Sequence, residues 1–252
     1  MKMHIPMNSY PNNEDLPLIS AESIKKSFGE IKVLKDISIK VNKGEFVTLL
    51  GPSGCGKTTI FNIITGLVRE DEGKITIRGT MGYMQQKDLL LPWKTIMDNV
   101  ALPLILKGVG KSTWEARVRK YLPVVGLEGY EEKYPSQLSG GMRQRASFLR
   151  TFMASEDIML LDEAFASLDS ITKENMQKWL LEMKNRLNNT ILLITHDIDE
   201  AIFLSDKIYV LSQKPSTIKK EISVDFCKED KLERLLSPQS LLLKQEILGL
   251  LG

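Results

Sequence analysis

The sequence predicts an α/β fold built on a parallel sheet, and two observations support this. Short apolar runs that suit buried strands, IMLLDE (158–163) and ILLITHD (191–197), flank the helix-like segment 171–187. Strands and helices in this alternation are typical of a parallel sheet with crossover helices. In addition, a glycine-rich loop at 51–59 lies between a strand-like run and a helix-like run.

The remaining elements are predicted in chain order. Residues 17–48 contain strand-like runs with a turn at 42–44, and a turn at 69–73 precedes a short strand, KITIR. Residues 82–93 are expected to be irregular, and 95–134 largely helical, with interruptions at 108–110 and at Pro123. A single helix is predicted at 139–154, a strand at 207–213, and helical structure on both sides of Pro238.

Composition excludes several classes of protein. The 252 residues are 42% hydrophobic and 26% charged, as in ordinary soluble domains, and the net charge is only +2. A broad basic surface for nucleic acid is therefore not expected. No apolar run approaches the roughly 18 residues that span a bilayer, so we expect any membrane role to come through a partner. Residues 1–16, which contain prolines and no apolar core, are expected to form a flexible lead-in rather than a targeting signal.

Cysteine usage indicates a reducing compartment. Only Cys55 and Cys227 are present, which is too few for a disulfide framework, so we expect two free thiols in the cytosol. Cys55 lies in the glycine-rich loop, where backbone N–H groups at a helix start lower the pKa of a thiol. A reactive thiol is therefore expected at this position.

The glycine-rich loop is the most specific motif. Residues 51–59 read GPSGCGKTT, which matches the phosphate loop G-x-x-x-x-G-K-[ST]. Its glycines let the backbone approach phosphates, Lys57 is expected to reach the β- and γ-phosphates, and the Thr58 hydroxyl to ligate Mg²⁺. The residues predicted to bind the nucleotide here are Gly51, Pro52, Ser53, Gly54, Cys55, Gly56, Lys57, Thr58 and Thr59.

Two further motifs carry polar chemistry. LSGG (138–141) places Ser139, Gly140 and Gly141 at a helix start, where a hydroxyl and N–H groups can bind an anion. Taken alone, however, the motif favours a plain serine cap. IMLLDE delivers two carboxylates at a strand end, where open α/β sheets bind ligands. Asp162 is expected to hold Mg²⁺ and Glu163 to act as general base toward water.

These motifs, in this order, resemble the ATP-binding-cassette (ABC) family from about Leu16 to Gln213. The resemblance implies a P-loop NTPase (RecA-like) core over 17–213, with an antiparallel β subdomain and an inserted helical subdomain at about 88–153. Residues 214–252 would form a short C-terminal extension. The cofactors implied are ATP and Mg²⁺.

The resemblance also assigns roles to single residues. Phe28 occupies the place of the aromatic that stacks on adenine, and Gln86 that of the glutamine that contacts Mg²⁺. His196 matches the switch histidine that senses the γ-phosphate and positions the catalytic Glu163. Family members form head-to-tail dimers in which LSGG closes over the other chain's nucleotide, and Asp169 belongs to the loop that signals across that dimer.

The expected function is an ATP-hydrolysing subunit, peripheral on the inner face of the membrane, that powers a permease. The segment LLLPWKTIMDNVALPL (89–104) resembles importers of nitrate, sulfonates, taurine and pyrimidine vitamin precursors, which work with an extracellular substrate-binding protein. The alternative is a soluble ABC ATPase of cofactor assembly or repair. A catalytically inactive regulatory subunit is a second alternative, which the presence of Glu163 and His196 opposes.

Overall fold

The structure is a computed structural model that describes residues 16–155, 157–166, 168–226 and 234–252. Cys227 and residues 1–15 of the predicted lead-in lie outside these ranges. The strands are β1 (Ile19–Phe28), β2 (Ile31–Val41), β3 (Phe46–Leu50), β4 (Glu72–Ile77), β5 (Met81–Met84), β6 (Ile158–Asp162), β7 (Thr190–Thr195), β8 (Lys207–Leu211) and β9 (Ser216–Ser223). The helices are α1 (Lys57–Ile64), α2 (Ile96–Leu106), α3 (Lys111–Tyr121), α4 (Gly140–Ala154), α5 (Ser170–Leu187), α6 (Ile198–Leu204) and α7 (Pro238–Leu251).

Within the described residues, the nine strands form one sheet in the order β4-β1-β2-β9-β8-β3-β7-β6-β5. The half from β8 to β5 is parallel at every pairing. The pairs β1–β2, β1–β4 and β8–β9 are antiparallel, and β2–β9 is parallel. The predicted α/β class, with a parallel core and an antiparallel part, is therefore confirmed.

The central strands are buried along their whole length. Every residue of β3, β6 and β7 is buried, because helices cover both faces of a parallel sheet. One apolar cluster packs the helices α2 to α5 against the sheet. A second packs β1, β2 and α1 against the opposite face. Burial on both faces explains why these strands read as continuous apolar runs.

Two local predictions are wrong. Residues 82–84 are not irregular but belong to β5, which pairs with β6; a Cβ on Gly82 would lie 2.3 Å from the Thr151 carbonyl oxygen of α4, so glycine permits close packing here rather than marking a turn. The helical pattern stops at Tyr121 instead of about 134. Pro123 and the positive φ of Gly126 and Gly129 divert the chain into turns.

Strand β9 is absent from the sequence prediction. It pairs with β8 on one side and β2 on the other, with Ile208 opposite Ile222 and Leu34 opposite Ser216. The predicted domain boundary at residue 213 therefore falls between two paired strands of the sheet. Beyond β9, α7 packs against α6, and the buried Arg234 donates hydrogen bonds to the carbonyl oxygens of Ile202 and Ser205.

Candidate nucleotide-binding site

Three central strands end at one edge of the sheet. Leu50 of β3 pairs with Thr195 of β7, and Asp162 of β6 pairs with Ile194. The residues that follow these strands therefore meet at the carboxyl edge, which is where open parallel sheets bind ligands. The phosphate loop follows β3, Glu163 follows β6 and His196 follows β7.

The phosphate loop connects β3 to the N-terminus of α1. Gly54 and Gly56 have φ of 77° and 113°, a region that side chains other than glycine rarely adopt. A Cβ on Gly56 would also lie 2.9 Å from the side chains of Val33 and Leu34. The loop thus requires glycine at position 56, and it presents backbone N–H groups and the positive end of the helix dipole to an anion.

Lys57 supplies a cation at the base of this loop. Its side chain is buried, and Nζ donates hydrogen bonds to the carbonyl oxygens of Gly51 at 2.8 Å and Pro52 at 3.0 Å. These bonds fix the ammonium group within the loop. Because an ammonium group has three N–H donors, one remains for a phosphate oxygen.

The loop forms one wall of a cleft of about 770 Å³, a volume within the usual range of ligand sites. Much of the opposite wall comes from the segment after β5 and from the end of β6. The lining residues are Ser53, Gly54, Gly56, Lys57, Thr58, Thr59, Asn62, Leu67, Tyr83, Gln85, Gln86, Lys87, Leu89, Asp162, Glu163 and Lys214.

Asp162 accepts hydrogen bonds from two hydroxyl groups. Tyr83 donates to Oδ2 at 3.0 Å and Thr58 donates to the same oxygen at 3.3 Å. Burial raises the pKa of Asp162, although both hydrogen bonds oppose that shift, and burial together with the Asp162 charge raises the pKa of Tyr83. Tyr83 is absent from the predicted site because its segment reads as irregular in the sequence. It lies in β5, whose pairing with β6 places it next to Asp162.

Glu163 occupies a strained backbone conformation. Its φ is 45°, a left-handed value that costs non-glycine residues about 1–3 kcal/mol and persists where the surroundings enforce it. Its N–H donates to the Ile194 carbonyl oxygen at 3.0 Å, which holds it to β7. The carboxylate lies 3.5 Å from Gln86 Nε2 and 3.4 Å from His196 Nδ1. Both Gln85 and Gln86 line the cleft, and Gln86 is the one that reaches Glu163.

The residues of LSGG lie elsewhere. Ser139 caps α4 by accepting a hydrogen bond from the Met142 N–H at 3.3 Å, and Asp169 caps α5 in the same way. Ser139 and Gly141 line a separate depression of about 200 Å³ that also includes Arg145 and Thr172. Within one chain, the structure therefore does not bring Ser139, Gly140, Gly141 or Asp169 to the phosphate-loop cleft.

Five other predicted residues also lie outside the cleft lining, and one of them is Gly51, the first residue of the phosphate loop. Phe28 is half exposed at the end of β1, with Lys26 Nζ 5.4 Å from the centre of its ring. Pro52 precedes Ser53, which lines the cleft, and His196 lies beside Glu163, which also lines it. Cys55 is only 2% exposed and packs in the core beneath the loop. The expectation of a reactive thiol is therefore wrong, because reagents in solution do not reach this sulfur.

The donors around Asp162 fit Mg²⁺. Thr58 and Asp162 offer a hydroxyl and a carboxylate within hydrogen-bonding distance of each other, with the Gln86 amide in the same cleft. Hard cations prefer such oxygen ligands, and Mg²⁺ combines one or two carboxylates with substrate phosphates and water. In the described part of the chain, no group of three or more His, Cys, Asp or Glu side chains is placed to hold a metal ion.

Comparison with known proteins identifies the family. Residues 34–166 match the family model described as "ABC transporter". The chain belongs to the ABC transporter family. It is an ATP-binding subunit, and it binds and hydrolyses ATP as this family of P-loop ATPases does.

Named relatives agree with this assignment. The chain is 43% identical to the formylaminopyrimidine import ATP-binding protein ThiZ of Halalkalibacterium halodurans, over 87% of this chain and 90% of ThiZ. It is 41% identical to the taurine import ATP-binding protein TauB of Pseudomonas aeruginosa, over 83% and 84% of the two chains. The dimeric structure of MJ0796, a bacterial ABC transporter cassette, superposes with a TM-score of 0.69 at 30% identity, covering 82% of this chain and 98% of MJ0796.

Proposed function

We propose that the chain powers a membrane importer for a small anion, a sulfonate or a vitamin precursor. The observation that carries this proposal is the gathering of Lys57, Asp162 and Glu163 at one cleft, with LSGG on a separate surface. The relatives ThiZ and TauB, whose names refer to import of a formylaminopyrimidine and of taurine, support the importer role and the substrate class.

The phosphate loop would hold the nucleotide. Backbone N–H groups from residues 51–59 bind the phosphates, with Lys57 supplying the charge nearest to the β- and γ-phosphates. Phe28, exposed at the end of β1, offers a ring face for adenine. Thr58, Asp162 and Gln86 would hold Mg²⁺, whose bound form would neutralise phosphate charge.

Glu163 would activate water. Its carboxylate accepts a proton as the water oxygen attacks the γ-phosphorus in line, and the bond from the γ-phosphorus to the bridging oxygen breaks to give ADP and phosphate. His196, 3.4 Å from Glu163, and Gln86, at 3.5 Å, hold the carboxylate in place. The strained φ of Glu163 keeps its side chain directed into the cleft.

A head-to-tail dimer would complete each site. Ser139, Gly140 and Gly141 form an anion-binding helix start that does not reach the nucleotide of its own chain, so we propose that they bind the γ-phosphate held by a second chain. Asp169 caps α5 beside this surface. The dimeric cassette MJ0796 provides a structural precedent for such pairing.

Trp93 marks the surface for the permease. Its side chain is 72% exposed, and the segment before it is tied to α4, since Arg150 donates to the carbonyl oxygens of Asp88 and Leu89. A movement of α4 would therefore also move the segment that carries Trp93.

No described helix is long and apolar enough to cross a bilayer. We propose attachment to the inner face of the membrane through the permease, with an extracellular substrate-binding protein as an indirect partner. A soluble ABC ATPase has no evident use for an exposed tryptophan here.

Replacing Glu163 by glutamine tests the general base. We expect Glu163→Gln to bind ATP with unchanged affinity and to lose hydrolysis by about 10²- to 10⁴-fold, because an amide does not take the proton. Phosphate release and nucleotide binding would be measured on the same preparation. Near wild-type turnover would exclude Glu163 as the base.

Replacing Trp93 by alanine tests the permease surface. We expect Trp93→Ala to leave ATP hydrolysis by the isolated subunit unchanged and to weaken assembly with the permease by about 2 kcal/mol, as for a buried aromatic anchor. Leu248→Ala, at an exposed leucine of α7, is the matched control. Equal assembly of both variants would contradict the proposal.

Mixing two inactive variants tests the shared site. Lys57→Ala removes the phosphate-loop cation, and Ser139→Arg blocks the LSGG surface, so each homodimer has two damaged sites. A mixed dimer has one site damaged twice and one intact site. We expect up to about a quarter of wild-type hydrolysis on mixing, since half of randomly paired dimers hold one intact site. No rescue, with mixed dimers shown by tagged pull-down, would exclude head-to-tail pairing.

A further inference from the structure

The turn between β8 and β9 lies against the phosphate loop. Ser216, which is fully buried, donates a hydrogen bond from Oγ to the Cys55 carbonyl oxygen. At the other end of the turn, a Cβ on Gly51 would lie 3.1 Å from Leu211 Cβ. Both ends of residues 211–216 are thus in contact with the loop that binds phosphate.

The turn is also held internally. Ser212 N–H donates to the Thr217 carbonyl oxygen at 3.0 Å, and Thr217 N–H donates to Ser212 Oγ at 3.0 Å. Ser216 additionally pairs with Leu34 of β2, and Leu34 contacts the position of a Gly56 Cβ. The position of the turn relative to the phosphate loop is therefore fixed by main-chain and buried contacts.

Lys214 projects from this turn and lines the nucleotide cleft together with Ser53, Gly54 and Lys57. Neighbouring lysines are engaged elsewhere: Lys207 pairs with Glu45, and Lys220 with Glu246. No described residue forms an ion pair or hydrogen bond with the Lys214 ammonium group. The cleft lining therefore includes Lys87 and Lys214 in addition to Lys57, and no described carboxylate pairs with Lys214.

We propose that Lys214 is a nucleotide-binding residue that contacts the phosphate chain of ATP. A lysine on a flexible stem is a suitable point charge for a phosphate oxygen, and a nucleotide triphosphate brings several negative charges to this cleft. The Lys214 contact with phosphate supplements the contact made by Lys57 and does not replace it. It strengthens binding of ATP and ADP and leaves the reacting γ-phosphate to Glu163.

The test is nucleotide binding by Lys214→Gln. Because Lys214 is exposed, we expect the Kd for ATP and ADP to rise by about two- to fivefold, with the thermal unfolding midpoint unchanged. The dependence of Kd on salt should become weaker, since one charge contact is lost. Lys214→Arg should restore binding. Lys35→Gln, which removes an exposed positive charge on β2 outside the cleft, is the control and should bind like wild type.

Competition by adenosine distinguishes the phosphate contact from other roles. If Lys214 contacts phosphate, adenosine should compete equally well in Lys214→Gln and wild type. Weaker adenosine binding in the variant would place the contact at the base or sugar and overturn the proposal. Unchanged ATP and ADP affinity in Lys214→Gln would overturn it as well.

Discussion

Leu50 pairs with Thr195 and Asp162 pairs with Ile194 across three adjacent parallel strands. This register brings the phosphate loop, Glu163 and His196 to one edge of the sheet. A slip of one residue would turn every side chain of a strand to the opposite face, and would separate Asp162 from the hydroxyl group of Thr58. The backbone pairing of these strands, all of whose residues are buried, holds this register. The chemistry of the cleft thus depends on the packing of the sheet.

Helix α4 connects the two polar surfaces of the chain. Its N-terminus carries Ser139 and its buried Gln144 donates from Nε2 to the Ala164 carbonyl oxygen at 2.7 Å, one residue after Glu163. Farther along, Arg150 binds the segment that follows Gln86. If a second chain's nucleotide shifted LSGG, the resulting movement of α4 would therefore reach both the Glu163 carboxylate and the exposed Trp93. Under the proposed function, this arrangement would link dimer closure to hydrolysis and to the exposed surface around Trp93.

Much of the fold and of the cleft could be predicted because local sequence determines it. Strands β3, β6 and β7 read as apolar runs, and the phosphate-loop motif specifies Gly56, although the Val33 and Leu34 side chains that exclude a Cβ there come from β2. Strand β5 could not be predicted from its pattern, since it is short and Gly82 resembles a turn residue. Tyr83 and Lys214 reach the cleft through strand pairings between segments distant in sequence, whereas β9 forms a hairpin with β8 across residues 212–215. The burial of the Cys55 thiol depends on the direction in which the side chain at this loop position points, and the sequence of the loop does not indicate that direction.

The central claim is that one chain holds only half of each hydrolytic site. The most direct measurement is ATP hydrolysis per chain as a function of protein concentration, with Lys57→Ala as the background. Hydrolysis per chain should rise with concentration and reach a plateau as head-to-tail dimers form, following a dimerisation curve. A rate per chain that stays constant down to concentrations at which sizing shows only monomer would contradict the claim.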